Sequence, residues 1–86
     1  MKNTERILKA LANRRRLAIV RYLRDRREAS VGEIAEAIRL SFRATSKHLI
    51  ILLAVDILEK DQRSLQMYYR LSDDRPKLAT QIITMV

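Results

Sequence analysis

Within "SVGEIAEAIRLSF" two helix starts follow one another with almost no chain between them. Ser30 and Glu33 have the spacing of a capping box, in which each side chain satisfies a backbone N–H at the helix start. Val31, Ile34, Ala35 and Ile38 follow the i, i+3, i+4, i+7 pattern of one helix face, so the spacing predicts a helix from about 31 to 38. After only about three residues Ser41 is placed to cap another helix, whose apolar side is Thr45, Leu49, Leu52 and Leu53. This second helix opens with Arg43, Ser46, Lys47 and His48 before turning apolar in "LIILLAV". A helix that only filled a core would not need so many hydrogen-bond donors in its first two turns.

The rest of the chain leaves little room for anything but compact elements, since 86 residues contain one Gly and one Pro and show no repeat or low-complexity stretch. One domain spanning 1–86 is expected, and a domain this small buries only about 60% of the surface its unfolded chain exposes. Ile7, Leu8 and Leu11 predict a short first helix, about 4–12, and Leu17, Ile19, Val20 and Leu23 a second, with the break near Asn13. Beyond Asp56 the period changes to two. Met67, Tyr69 and Leu71 alternate with Gln66, Tyr68 and Arg70, "ILEK" supplies a partner strand, and the polar "DQRS" reads as a hairpin tip longer than a tight Asn-Gly turn. Asp73, Asp74 and Pro76 then suit the start of a last helix, about 75–86, with Leu78, Ile82 and Met85 on its apolar face. The expected fold is mainly α with a small β-hairpin, an α+β winged helix-turn-helix.

In a winged helix-turn-helix the second helix enters the DNA major groove and the hairpin lies along the neighbouring backbone or minor groove. The charge agrees. Eighteen Lys and Arg against ten Asp and Glu give +8 and a pI near 10.6, which favours a polyanion, nucleic acid first and an anionic membrane surface next. The candidate recognition stretch is Ser41, Phe42, Arg43, Ala44, Ser46, Lys47 and His48, and the candidate wing contacts are Gln62, Arg63 and Ser64. Arg suits the paired acceptors of guanine, Lys and Ser more often hold phosphate, and an Arg at the wing tip suits the negative potential of the minor groove. The competing reading for each is a solvated surface. Of the seven arginines between Arg14 and Arg27, only some can face DNA, Arg14 and Arg15 first among them.

At these residues the sequence resembles the ArsR-type (arsenical-resistance-like) winged helix repressors. "LKALANRRRLAIVRYL", "EIAEAIRLSFRATSKHLIIL" and "ILEKDQRSLQMYYRL" lie on the family pattern without a gap, from about Ile7 to Leu71. The resemblance implies a homodimeric bacterial or archaeal repressor that pairs through its first and last helices and releases its operator when an effector binds. Ile7, Leu8, Leu11, Leu78, Ile82 and Met85 are then the expected dimer residues, a placement that a small, marginal core also favours. The resemblance further suggests a base or phosphate contact for His48, where a lone histidine is otherwise more often structural, and a position beside the core for Arg16. Family members often carry proline at Arg14 and glycine at Arg39, Asp56 and Ser64. Where such a position needs positive φ, a residue other than glycine costs on the order of 1 kcal/mol.

The metal-sensing members carry Cys-x-Cys where this chain has Ser30 and Gly32, or Asp and His ligands on the last helix. With no cysteine and one histidine, three or four soft or imidazole ligands cannot be assembled from these residues, so neither a thiolate or imidazole metal sensor nor any other cofactor is expected. Catalysis is not expected either, because the lone His48 has no Ser or Asp pairing that the sequence supports and Asp73 and Asp74 read as a helix start. Tyr68 and Tyr69 alternate, one into the core and one at its rim, rather than forming a stacking platform. The N-terminus is charged throughout and no apolar run approaches the roughly 18 residues of a membrane span, so a cytoplasmic, nucleoid-associated prokaryotic protein is expected. The alternative is a winged helix retained as a protein-interaction or adaptor module without sequence-specific DNA binding.

Overall fold

The computed structural model describes residues 2–86. The chain runs α1 (Lys2–Leu11), α2 (Arg14–Arg26), β1 (Glu28–Ser30), α3 (Val31–Ile38), α4 (Phe42–Ala54), β2 (Leu58–Arg63), β3 (Gln66–Leu71) and α5 (Lys77–Met85). Local chemistry accounts for most boundaries. Asn13 ends the first segment by capping the second: its side chain accepts from the N–H groups of Arg15 and Arg16. Arg14 is thus the first helical residue of α2, the position at which proline is tolerated and arginine serves as well. Ser30 and Glu33 form the expected capping box on α3, and the Ser41 hydroxyl accepts from the Ala44 N–H at 3.1 Å to open α4.

Three of the four residues standing at family glycine or proline positions occupy left-handed backbone. Arg39 closes α3 at φ 55, ψ 53, Asp56 has φ 61 and Ser64 has φ 58. Arg27, at the end of α2, has φ 81 as well.

The sheet departs from the expected hairpin. It has three antiparallel strands in the order β1-β3-β2, because Glu28–Ser30 pairs with Tyr68–Arg70. The segment is too short and too polar to announce itself as a strand, and only the exposed edge of β3 makes it one. The hairpin tip is also tighter than expected. Asp61, Gln62 and Arg63 belong to β2, Arg63 pairs with Gln66, and the turn is the two residues Ser64 and Leu65. At the other end of the sheet, Asp73 and Asp74 form a turn before α5 rather than its first turn, and Pro76 stands at the cap position with no side-chain hydrogen bond.

One apolar cluster joins the elements, with Ile19, Leu23, Ile34, Leu49, Leu52 and Ile57 fully buried at its centre. Each such side chain contributes about 1.5–3 kcal/mol of burial. Ile7 and Leu11 of α1 belong to this cluster, as do Ala79 and Ile83 of α5. Ile7 and Leu11 are therefore buried in the core of the single chain. The surface left open on these helices is Leu8, 47% exposed, and Met85, 82% exposed, while Leu78 and Ile82 are half-buried beside the core. The reason is that α1 and α5 pack on each other and on α2, which turns one side of each helix inward.

Candidate nucleic-acid interface

Helix α4 presents its polar mouth because of how its other side is anchored. Thr45, Leu49 and Leu52 recur at i, i+4 and i+7 and are completely buried. At 3.6 residues per turn, Arg43 and Lys47 then fall on the opposite side of the helix. Both are exposed, and neither has a hydrogen-bond or ion-pair partner among the described residues. Phe42, in the first turn, is 62% exposed, and Ala44 is half-buried. The Ser46 hydroxyl donates to the Phe42 carbonyl at 3.0 Å, which leaves its oxygen free to accept.

Two arginines from the basic run of α2 brace this helix. The Arg15 guanidinium donates to the Ile38 carbonyl at 2.6 Å, satisfying the end of α3 at the turn that leads into α4. Arg16 closes α1 by donating to the carbonyls of Ala10 (2.5 Å) and Lys9 (3.2 Å), and the same guanidinium lies 3.2 Å from Nδ1 of His48 on α4. Because arginine only donates, Nδ1 of His48 is the acceptor and its proton sits on Nε2. Partial burial, followed by the charges of Arg16 and Arg15, lowers the His48 pKa below its ordinary 6.5. Nε2–H remains as a neutral donor.

The wing residues are arranged differently from expectation. Arg63 makes a two-pronged pair with Glu28 of β1, at 2.5 and 2.8 Å, and its Nε donates to Asp61 at 3.1 Å. Its guanidinium also lies 4.9 Å from the ring centre of Tyr68. Glu28 and then Asp61 hold the Arg63 pKa above its ordinary value, and Arg63 in turn lowers that of Glu28. Arg70 extends the lattice to Glu59 at 2.7 Å. Tyr69 points into the core and Tyr68 is the rim residue, its hydroxyl donating to Gln66.

The residue at the wing apex is Leu65, 96% exposed, which sequence reasoning passed over because it looked for charge. Leu65, Gln66 and Met67 share a cleft of about 390 Å³ with Val31 and Phe42, so the apex stands beside the first turn of α4. The pairing of Arg16 with His48 and of Arg63 with Glu28 also went unseen. The partners are 32 and 35 residues apart, and no local pattern links them.

Among the described residues no helix is long and apolar enough to cross a membrane, and no three His, Asp or Glu side chains converge as a metal site would require.

Comparison with known proteins agrees with this arrangement. The model of a family described as helix-turn-helix domain matches residues 6–61. The transcriptional activator HlyU of Vibrio cholerae is 35% identical over 77 residues, which is 90% of this chain and 70% of that protein. The structure of reduced HlyU superposes with a TM-score of 0.84 at 32% identity, covering 98% of this chain and 84% of that one. Mb0332 of Mycobacterium bovis, described as a homodimeric winged helix-turn-helix DNA-binding domain and a possible ArsR-family transcriptional regulator, superposes at 0.83 with 27% identity, over 98% of this chain and 74% of that one. The transcriptional repressor BigR of Xylella fastidiosa superposes at 0.82 with 28% identity, over 98% and 82%.

Proposed function

The chain belongs to the ArsR-type winged helix-turn-helix transcriptional regulators, and from that premise we propose that it is a homodimeric repressor that occludes a promoter by binding a pseudo-palindromic operator. The observation that carries the reading is the Ser41-capped start of α4, where Arg43 and Lys47 are exposed and unpaired beside the wing. A dimer sets two such helices into successive major grooves, with half-sites about one helical turn apart. Arg43 takes the base-reading role, two parallel N–H donors to a guanine, with Ser46 as its second reader. Lys47 holds phosphate, and His48 supplies a neutral Nε2–H donor at the edge of the site.

The homodimer is supported by the apolar side chains left open on α1 and α5, Leu8 and Met85, and by the description of Mb0332 as homodimeric. HlyU is named an activator and BigR a repressor. Occupancy of a DNA site is what both roles need, and the position of that site relative to the promoter separates them. A thiolate or imidazole metal inducer does not fit these 86 residues, which hold no cysteine and one histidine.

The test is selection of bound sequences from a randomised duplex library at about 150 mM salt, near physiological screening. A two-fold symmetric motif is expected. Arg43→Ala should then weaken binding to it by about 1–3 kcal/mol and relax preference at one base position per half-site. Unselective binding that merely weakens with salt would overturn the reading and favour the adaptor alternative.

A further inference from the structure

We infer that the side chain the wing inserts into DNA is Leu65, as an apolar contact in the minor groove flanking each half-site, while Arg63 stays on the wing as its brace. The inference rests on the DNA-binding reading above and concerns which wing residue does the reading.

Two sets of observations converge on it. The first concerns Leu65. It is 96% exposed, the most protruding apolar side chain described, on a two-residue turn whose first member, Ser64, is left-handed at φ 58. Its chain neighbours Ser64 and Gln66 are uncharged, and the charge of Arg63 at the base of the turn is paired with Glu28 and Asp61. The cleft it shares with Phe42 puts the apex beside the first turn of α4, the turn that also carries Arg43. A narrow, uncharged, apolar tip next to a recognition helix has the form of the apolar wedges that proteins place in minor grooves.

The second set concerns Arg63. Its guanidinium is held on three sides, by both oxygens of Glu28, by Asp61 and by the ring of Tyr68. Moving it to DNA would leave Glu28 without its ion pair and Asp61 with only Arg70, at 3.9 Å, beside phosphates that repel both carboxylates. With Glu28, Glu59 and Asp61 on the same face of the sheet as Arg63 and Arg70, the lattice already holds three acids to two arginines. The same pairing ties β1 to the end of β2 and so stiffens the hairpin that carries Leu65.

This predicts a preference for A·T flanks that an arginine in the narrow A·T groove would share, so the Leu65 variant and the salt slope are what separate the two readers. Guanine places an amino group on the minor-groove floor and adenine does not, so a leucine packs closely on A·T pairs and is held off by G·C pairs. Inosine·cytosine pairs isolate the effect, since they lack that amino group but keep a major groove like that of G·C.

The experiment measures affinity and its salt slope for the library-selected duplex with flanks of A·T, I·C or G·C. The wild-type protein is expected to bind the A·T and I·C flanks about tenfold more tightly than G·C, the scale of one buried leucine. Leu65→Ser should bind all three alike with an unchanged salt slope, because no phosphate contact is lost. Glu28→Gln, which loosens the hold on Arg63, should leave the flank preference and the slope as they are. The inference is overturned if Leu65→Ser keeps the preference, or if Glu28→Gln tightens binding and steepens the slope by about one per wing, the sign of Arg63 released to phosphate. Selective half-site binding with no flank preference in the wild-type protein sinks the wing inference alone. Failure to select any motif from the library sinks the DNA-binding reading and this inference with it.

Discussion

Replacing Arg39 by glycine should stabilise the protein, although it removes a whole side chain. Arg39 sits in the connection between α3 and α4 at φ 55, ψ 53, where the Cβ of an L-residue crowds the following carbonyl. That crowding costs on the order of 1 kcal/mol, and glycine has no Cβ to crowd. The turn itself does not depend on the side chain, because the Arg39 N–H donates to the carbonyls of Ala35 and Glu36 whatever the residue. The side chain is exposed and makes no ion pair or hydrogen bond among the described residues. Glycine also has more freedom in the unfolded chain, which offsets part of the gain and leaves about 0.5 kcal/mol. For a domain of this length that raises the unfolding midpoint by about 2–4 °C. Thermal unfolding followed by far-UV circular dichroism, at one fixed protein concentration so that association does not shift the midpoint, reads the effect directly. Arg39→Ala is the comparator, since it loses the same charge but keeps the Cβ, and no gain is expected from it. If Arg39→Gly unfolds at or below the temperature of Arg39→Ala, the strain argument is wrong. Asp56, at φ 61, should respond in the same direction but less, because aspartate visits left-handed backbone more readily than arginine.

Arg16→Met should cost about 1.5–3 kcal/mol in urea unfolding, because two carbonyls at the end of α1 and Nδ1 of His48 lose a charged donor together; a cost below 0.5 kcal/mol, on the order of a surface change, would mean water replaces it. His48 supplies a pH test: with its folded pKa below the ordinary 6.5, the unfolded chain takes up a proton first as pH falls, so stability should decline from about pH 6.5 downward until the folded pKa is passed. His48→Asn, whose Oδ1 takes the place of Nδ1, should flatten that decline in unfolding curves from pH 7.5 to 5.5, and an unchanged slope would assign the effect to another group. Changing Leu8 and Met85 together to glutamate should turn a dimer into a monomer in analytical ultracentrifugation, with operator binding weakened in step; a double variant that stays dimeric would put the interface elsewhere.

The helix-turn-helix itself was legible because its signals are local. Ser30 with Glu33, Ser41 with the Ala44 N–H, and Asn13 with Arg15 and Arg16 are contacts between residues two or three apart, so the sequence order already places the partners together. The exposure of Arg43 and Lys47 followed from the same periodicity that buries Thr45, Leu49 and Leu52. Arg39, Asp56 and Ser64 were singled out as residues standing where related chains have glycine, and their positive φ angles follow from the shapes of those turns. The last helix was expected from about residue 75 and begins at Lys77, with Pro76 at its cap position, a difference of about two positions that cap rules alone do not resolve.

What the sequence by itself determined was the order and type of the helices, the in-and-out alternation of β3 and the side of α4 that faces outward, because these depend on spacings of two to four residues. Tertiary structure decided which side of α1 and α5 turns inward, made a strand of Glu28–Ser30, and gave Arg16 and Arg63 the partners that occupy them. Each of those outcomes requires segments more than 30 residues apart in the chain to meet, and a guanidinium on a long side chain goes to whichever carbonyl or carboxylate packing brings within reach. Basic composition made DNA a candidate partner, but only the folded chain separates the arginines already in use from those left free to touch it.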